Sequence, residues 1–476
     1  MSGRIAALVL LAAAMAPQAR AEEPVRSAWA DPDSPWVMRE PMPVPLVFLE
    51  SPAPFRPPYW LPTWGQALQL HDAAVTLGLH AADALTFGID LNTRERELPA
   101  QLAERALKLS PFALVAIVAL GFPSVVPFGS PWLRRQATLG ALAANGLIGT
   151  TANSPSCSGP SCGLTDDQIA AVHDRRVEDW VRVEEAPWEL QYEKITRSER
   201  TAFFYNRNPD TYWAYTLLQF IELAVPAHEA DEGPAWTWDL HRPWLGYLDR
   251  PEHEGVRRVE MGDLNDEERQ YLQQVHALDA LNFVDGFLVA GWSKGLPLPS
   301  PFGGQLRANG ALRHHRTTSG DLFALSLLAR QDPVKAEASL ELYRSRWLVL
   351  PGLTLRLHRY PVRLAGLPVL ASVTASGWLQ PQDQSFLAFT ATPGGSLRLS
   401  TAIPLNEFLE GFLEVRAKTP GWIAGDPDLN AGVQAGIGLS LLLDYARTPS
   451  LPERPPLPSP ASPASSESSG IHRSDS

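Results

Sequence analysis

The chain has 476 residues, a formal charge of −12, 45% hydrophobic residues and 15 tryptophans. That apolar content excludes wholesale disorder, and the acidic balance excludes nucleic acid as the partner of the whole chain, because phosphate binding needs an excess of Lys and Arg. The length leaves room for two or three domains and a sizeable core.

Residues 1–21 read as a secretory signal: Arg4 is the positive start, Ile5 to Ala16 the apolar stretch, and Ala19-Arg20-Ala21 an A-x-A site with cleavage after Ala21. The chain is therefore expected outside the cytoplasm, in the outer membrane or periplasm of a two-membrane bacterium. Residues 22–65 are Pro-rich and read as an extended segment.

A helical domain is expected over 66–290. Leu68, Val75, Leu79 and Ala82 recur on one helical face, and 97–108 is a second helix. The run Leu109 to Leu133 has no charge, but Pro111, Pro123, Pro127 and Pro131 cut it, which suits a buried segment better than a membrane span. Cys157 and Cys162 are the two cysteines, and in an oxidising compartment a local disulfide is the simplest reading. Asn208-Pro209 opens a further helix that Pro226 stops, and 267–288 gives another.

After Gly291 the pattern changes to period-two alternation, so 291–445 is expected as an antiparallel β domain, with a disordered Pro/Ser-rich tail over 446–476. Strands are expected at 321–330, 337–347, 352–359, 367–379, 385–392, 395–403, 407–418 and 430–443, with turns at Pro351-Gly352, Pro381-Gln382-Asp383 and Pro393-Gly394-Gly395. The fold class is thus α+β: a helical N-terminal half, then an antiparallel β-meander of about eight strands, expected as a small barrel with a membrane as one candidate surrounding. Alternation alone does not say whether the apolar face, such as Val433, Ile437 and Leu441, meets lipid or a dry core. Trp347, Trp378, Trp422, Tyr343, Tyr360 and Tyr445 fall near strand ends, where an aromatic girdle would sit, and Glu410, Glu414 and Arg416 suit a polar lumen. Strands 321–330 and 385–392, apolar on both faces, count against it. The pattern from Glu410 to Leu443 resembles the closing hairpin of bacterial outer-membrane barrels, a resemblance that implies a lipid-facing sheet.

Between Gly286 and Gln382 eleven Lys or Arg face four Asp or Glu, a sector of +7 that leaves −19 for the remainder. Lys294, Arg307, Arg313, Arg316, Arg356 and Arg359 are the candidates for holding an anionic envelope lipid or glycolipid, and His314-His315 adjoins them. His228, Asp231, His241 and His253 gather metal-capable donors in a Pro-rich connection, without the H-E-x-x-H spacing. His80 with Asp83 and His276 with Asp279 stand at i,i+3, where a carboxylate can orient an imidazole. Gly159-Pro160-Ser161-Cys162-Gly163 matches G-x-S-x-G but follows a loop, whereas a nucleophile elbow needs a buried strand before it. No cofactor is expected. The leading expectation is a noncatalytic outer-membrane-associated protein serving structure, binding or passage of an anionic envelope molecule, with outer-membrane lipid or glycolipid and other envelope proteins as partners. The alternative is a periplasmic hydrolase built on 228–254, with or without a metal.

Overall fold

The computed structural model describes residues 42–51, 64–87, 130–144, 177–205, 266, 270, 274, 277–285, 295–300, 305–331, 333–364, 367–406 and 408–443. The signal, the Cys157/Cys162 pair, most of the uncharged run, the helices at 97–108 and after Asn208, and the tail lie outside the described residues.

Ten strands form one antiparallel sheet: β1 (Met42–Ser51), β2 (Leu296–Pro299), β3 (Gln305–Thr317), β4 (Gly320–Gln331), β5 (Val334–Arg344), β6 (Val349–Leu364), β7 (Leu367–Pro381), β8 (Ala391–Pro404), β9 (Leu409–Lys418) and β10 (Gly432–Leu443). The spatial order is β1-β10-β9-β8-β7-β6-β5-β4-β3-β2. From β2 to β10 each strand pairs with its sequence neighbour, as short connections dictate. β1 arrives from the N-terminal side and pairs with β10, Met42 opposite Leu443. Among the described residues β1 and β2 are the two ends of the order, so the sheet is not closed into a barrel, contrary to expectation.

A helical N-terminal half is not supported among the described residues either. That part of the chain gives the sheet its strand β1, together with α1 (Trp64–Phe87), α2 (Ser130–Ala144), α3 (Val177–Phe204) and a 3-10 turn at Asp279–Phe283. α2 has Pro131 in its first turn, where a missing N–H costs nothing because the first donors of a helix have no partner within it. α3 carries Glu178 and Asp179 in its first turn, where the helix dipole favours negative charge. Leu68 of α1, Leu133 and Leu142 of α2, and Val183, Ala186 and Leu190 of α3 bury against one another. The helix expected to run to Leu288 has given way by Asp279–Phe283, and Asp285 bridges Ala311 of β3. Asn282 holds the turn there, donating to the His314 carbonyl at 3.0 Å and accepting from the His314 N–H at 2.8 Å.

Three of the expected boundaries shift for one reason. Pro351 precedes the first β6–β7 pair at Gly352, Pro393 precedes the first β8–β9 pair at Ser396, and Pro361 lies beyond the last β5–β6 pair at Leu357. Each therefore sits in a strand with one open side, where a missing donor breaks no ladder. The chain turns at Ser345–Leu348 and, where expected after Pro381, at the 3-10 turn Gln382–Gln384, but 385–392 is mostly connection rather than strand. At Gly320 the β3–β4 turn demands φ +139°, and an added Cβ would lie 2.0 Å from the Arg344 carbonyl oxygen.

The two faces of the sheet are inverted relative to a soluble α+β domain. Leu325, Leu340, Leu342, Leu353, Leu399, Leu413 and Ile437 are exposed, between 36% and 59%. The helices lie over the opposite, polar face, where Arg200 of α3 reaches Glu337 of β5 and Tyr205 reaches His358 of β6.

Candidate functional site: the polar interior of the sheet

Period-two alternation places every second residue on the inner face, and the antiparallel register lines these residues up in rows across neighbouring strands. One row consists of Ser326, Ser339, Thr354, Ser376 and Ser396 on β4 to β8, each directly opposite the next. Ser326 donates to Ser339 at 3.2 Å. The Thr354 hydroxyl lies 2.8 Å from Glu341 and 2.9 Å from Ser376; having one proton, it donates to the carboxylate and accepts from the serine. The adjacent row, two residues along each strand, is Glu337, Arg356, Thr374, Arg398 and Arg416.

The arginines of this face meet carboxylates. Glu337 takes Arg200 at 2.7 Å and Arg356 at 3.1 Å. Arg398 pairs with Glu414 at 2.7 Å, Arg416 with Asp426 at 2.8 Å, and Arg197 of α3 with Asp72 of α1 at 3.0 Å. Arg313 pairs with Glu199 of α3 and with Asp285. Arg359 makes two bonds of 2.7 Å to Glu410. It stands at a bulge, where Leu357 pairs with Val373 but Tyr360 with Ala371, and its φ is +49°. The extra residue turns the side chain inward. Arg359 and Glu410 are on β6 and β9, three strands apart and so roughly 14 Å apart in a flat sheet; their contact requires this face to be concave.

A second buried group ties α3 to the connections at one rim. Arg182 bonds Glu189 and the Asp426 carbonyl, and Glu185 accepts from Thr318 at 3.0 Å and from Trp422 Nε1 at 2.9 Å. The Gly425 N–H donates to Glu189. Burial pushes the Glu185 carboxyl up to about 8 in spite of Arg182, and burial likewise raises Glu189. For Asp426 burial works upward, but Arg416 and Lys418 outweigh it and hold the carboxyl below its ordinary value.

Between the concave face and helices α1 and α3 lies a cavity of about 410 Å³. Thr354, Ser376 and Ser396 line it with Arg200, Arg356 and Trp378.

Of the sequence-derived anion candidates, Arg313, Arg356 and Arg359 line the inner side, each with a carboxylate beside it, while Arg316 is buried outside that lining, 3.0 Å from Asp279. Arg307 lies on β3 near the sheet's end; Lys294 is outside the described residues. His228, Asp231, His241 and His253 are also outside them, and the described residues contain no cluster of three or more His, Cys, Asp or Glu able to hold a metal. His314 is not part of a basic surface: it is buried, with Nδ1 2.7 Å from Asp279 and Nε2 3.0 Å from Asp321. Asp279 takes His314, Arg316 and Tyr192; His276, which it was expected to orient, lies outside the described residues.

The aromatic girdle is only partly as expected. Trp347 is 52% exposed and stacks on the exposed Phe389, but Tyr343, Trp378 and Trp422 are buried together on the inner side. Sequence reasoning missed the contribution of α3. Its signal was present, Val183, Ala186 and Leu190 at helical spacing beside Arg182, Glu185 and Glu189 at three and four. No family model matches the chain, and no curated protein or solved structure is detectably similar.

Proposed function

We propose that this is a noncatalytic component of the outer membrane of a two-membrane bacterium, its sheet standing in lipid as the wall of a barrel-like body. The observation that carries the reading is the inverted sheet: a wide exposed apolar face outside, paired charges and hydroxyls inside. A contiguous apolar surface of this kind marks contact with lipid or with another protein, and polar-in, apolar-out alternation is the pattern of transmembrane barrels. The strands β3 to β10 have ten to sixteen residues, enough for a tilted crossing that needs about 9–11. No described helix is long and apolar enough to cross a membrane.

Loop lengths support an orientation. The connections 332–333, 365–366 and 405–408 occupy one rim, where the sheet segment also begins at Met42 and ends at Leu443. The connections 345–348, 382–390 and 419–431 occupy the other, with the short β3–β4 turn 318–319 among them. Short turns face the periplasm in barrels of this class, so we place the long-loop rim, with the Arg182–Glu185–Glu189 group, outward. The role is to hold an envelope molecule or to support the envelope, with envelope lipid and other envelope proteins as partners. Washing isolated membranes with alkaline carbonate or urea tests this. Retention of the full-length chain in the pellet is expected, and its release into the supernatant would refute insertion.

A further inference from the structure

The inner face supplies charge in matched pairs and hydroxyls in a row, and these two facts together select a ligand class. Among the described residues seven arginines and six carboxylates line the cavity, and Glu199, Asp285 and Asp426 reach Arg313 and Arg416 from beyond it. An incoming anion would have to displace a carboxylate that is already bonded, for example Glu337 from Arg200 and Arg356, and opening a buried ion pair is strongly unfavourable. The hydroxyl row presents no ion pair to open: Thr354 keeps its bond to Glu341, and the oxygens, with two lone pairs each, retain acceptor capacity beside the bonds within the row. Each hydroxyl both donates and accepts, so a ligand rich in hydroxyls can replace water in the cavity bond for bond without disturbing the ion pairs. Five strands set the row's length at roughly 19 Å, and about 410 Å³ is within the range of small-molecule sites.

We infer that the cavity binds a neutral polyhydroxylated ligand, a short glycan chain, laid along Ser326, Ser339, Thr354, Ser376 and Ser396, with the Arg356 and Arg398 ion pairs as fixed neighbours. This replaces the anionic headgroup with the sugar portion of an envelope glycolipid or a free oligosaccharide as the recognised chemistry, and it does not depend on insertion into lipid. The test is calorimetric titration of the purified full-length chain, in a detergent without a sugar headgroup, with maltotriose, cellotriose and chitotriose, and separately with inorganic phosphate. Saturable heat with at least one trisaccharide and none with phosphate is the expected result. Loss of two hydroxyls in the Thr354→Val, Ser376→Ala double variant should weaken that binding about tenfold or more, while Thr354→Ser, which keeps the hydroxyl, preserves it. Ser396→Ala, two strands from Thr354, gives an independent reading if the double variant folds poorly. Phosphate binding that competes with the sugar, silence with all three trisaccharides, or binding unchanged in both the double variant and Ser396→Ala would each overturn the inference. A dodecyl glycoside of the binding sugar then separates the sources: a lipid-linked ligand binds tighter than the free trisaccharide, a free one equally.

Discussion

Replacing Ile437 by arginine asks directly which solvent touches the outer face. Ile437 sits at the middle of β10, is 59% exposed, and faces its cross-strand partner Leu413, itself 50% exposed. The twelve residues of β10 span roughly 26 Å of depth at a 45° tilt, matching the ~25 Å apolar band of outer-membrane barrels, so Ile437 falls near the midplane. Arginine there costs about 2–4 kcal/mol in lipid. Val433 lies four residues toward the long-loop rim, roughly 10 Å closer to the interface, where the same change costs about 0–1 kcal/mol. A soluble sheet makes the opposite statement: both residues are exposed, and surface substitutions stay within about 0.5 kcal/mol. Urea titration of the chain folded into phosphatidylcholine vesicles, followed by tryptophan emission, measures both. Ile437→Arg should be the less stable of the two by about 2–3 kcal/mol; equal midpoints within about 0.5 kcal/mol of the parent would refute the lipid-facing assignment.

Glu185 gives a pH dependence with a definite sign. Its carboxyl is raised from 4.5 to about 8 in the folded chain, so between those values the folded state holds a proton that the unfolded state releases; the group's contribution is complete below 4.5 and lost as pH rises through 8. Unfolding midpoints should therefore fall between pH 5 and 9 by an amount equivalent to a few kcal/mol, and Glu185→Gln should flatten that slope. Gly320→Ala should lose about 2–3 kcal/mol in thermal or urea unfolding, since the new Cβ meets the Arg344 carbonyl in a backbone region L residues avoid. Arg359→Met should cost about 3–5 kcal/mol by stranding Glu410, and Arg359→Met with Glu410→Met should recover most of it, a pattern a double-mutant cycle resolves.

Period two made six of the strands readable within a few residues, because each carries one apolar and one polar face whatever solvent lies outside, and β4, apolar on both faces, was readable as a short apolar run between turn signals. β1 and β2 escaped notice because Met42-Pro43-Val44-Pro45 and Leu296-Pro297-Leu298-Pro299 look like extended Pro-rich chain; only the ladders to β10 and β3 make them strands. β3 was hidden by Arg313-His314-His315-Arg316, four consecutive polar residues that break the alternation. Their burial follows from partners far away in sequence, Asp279, Asp285 and Glu199, which no local pattern connects to them. The same distance defeated the reading of the basic sector: its arginines were countable, but the carboxylates of α3 and β9 that neutralise them were not assignable from spacing.

If the sheet stands in lipid as proposed, its open ends meet a difficulty, since unpaired backbone donors and acceptors have no water to turn to there. The two end strands reduce it in the same way. Pro43 and Pro45 remove two N–H groups from β1, and Pro297 and Pro299 remove two from β2; residues two apart point their N–H to the same edge, so each end loses donors along one side. Two prolines apiece fit β1 and β2 as end strands, the positions where proline is tolerated in a sheet. Side chains span the interval between them. Phe203 and Phe204 of α3 pack with Met42 and Val44 of β1 and with Leu328 of β4, and Phe203 lies so close to Gly295, the residue before β2, that a Cβ there would be 2.6 Å from its ring. The helix on the inside thus packs its apolar end against both end strands of the sheet, so that α3 links β1 to the residue before β2 through side chains.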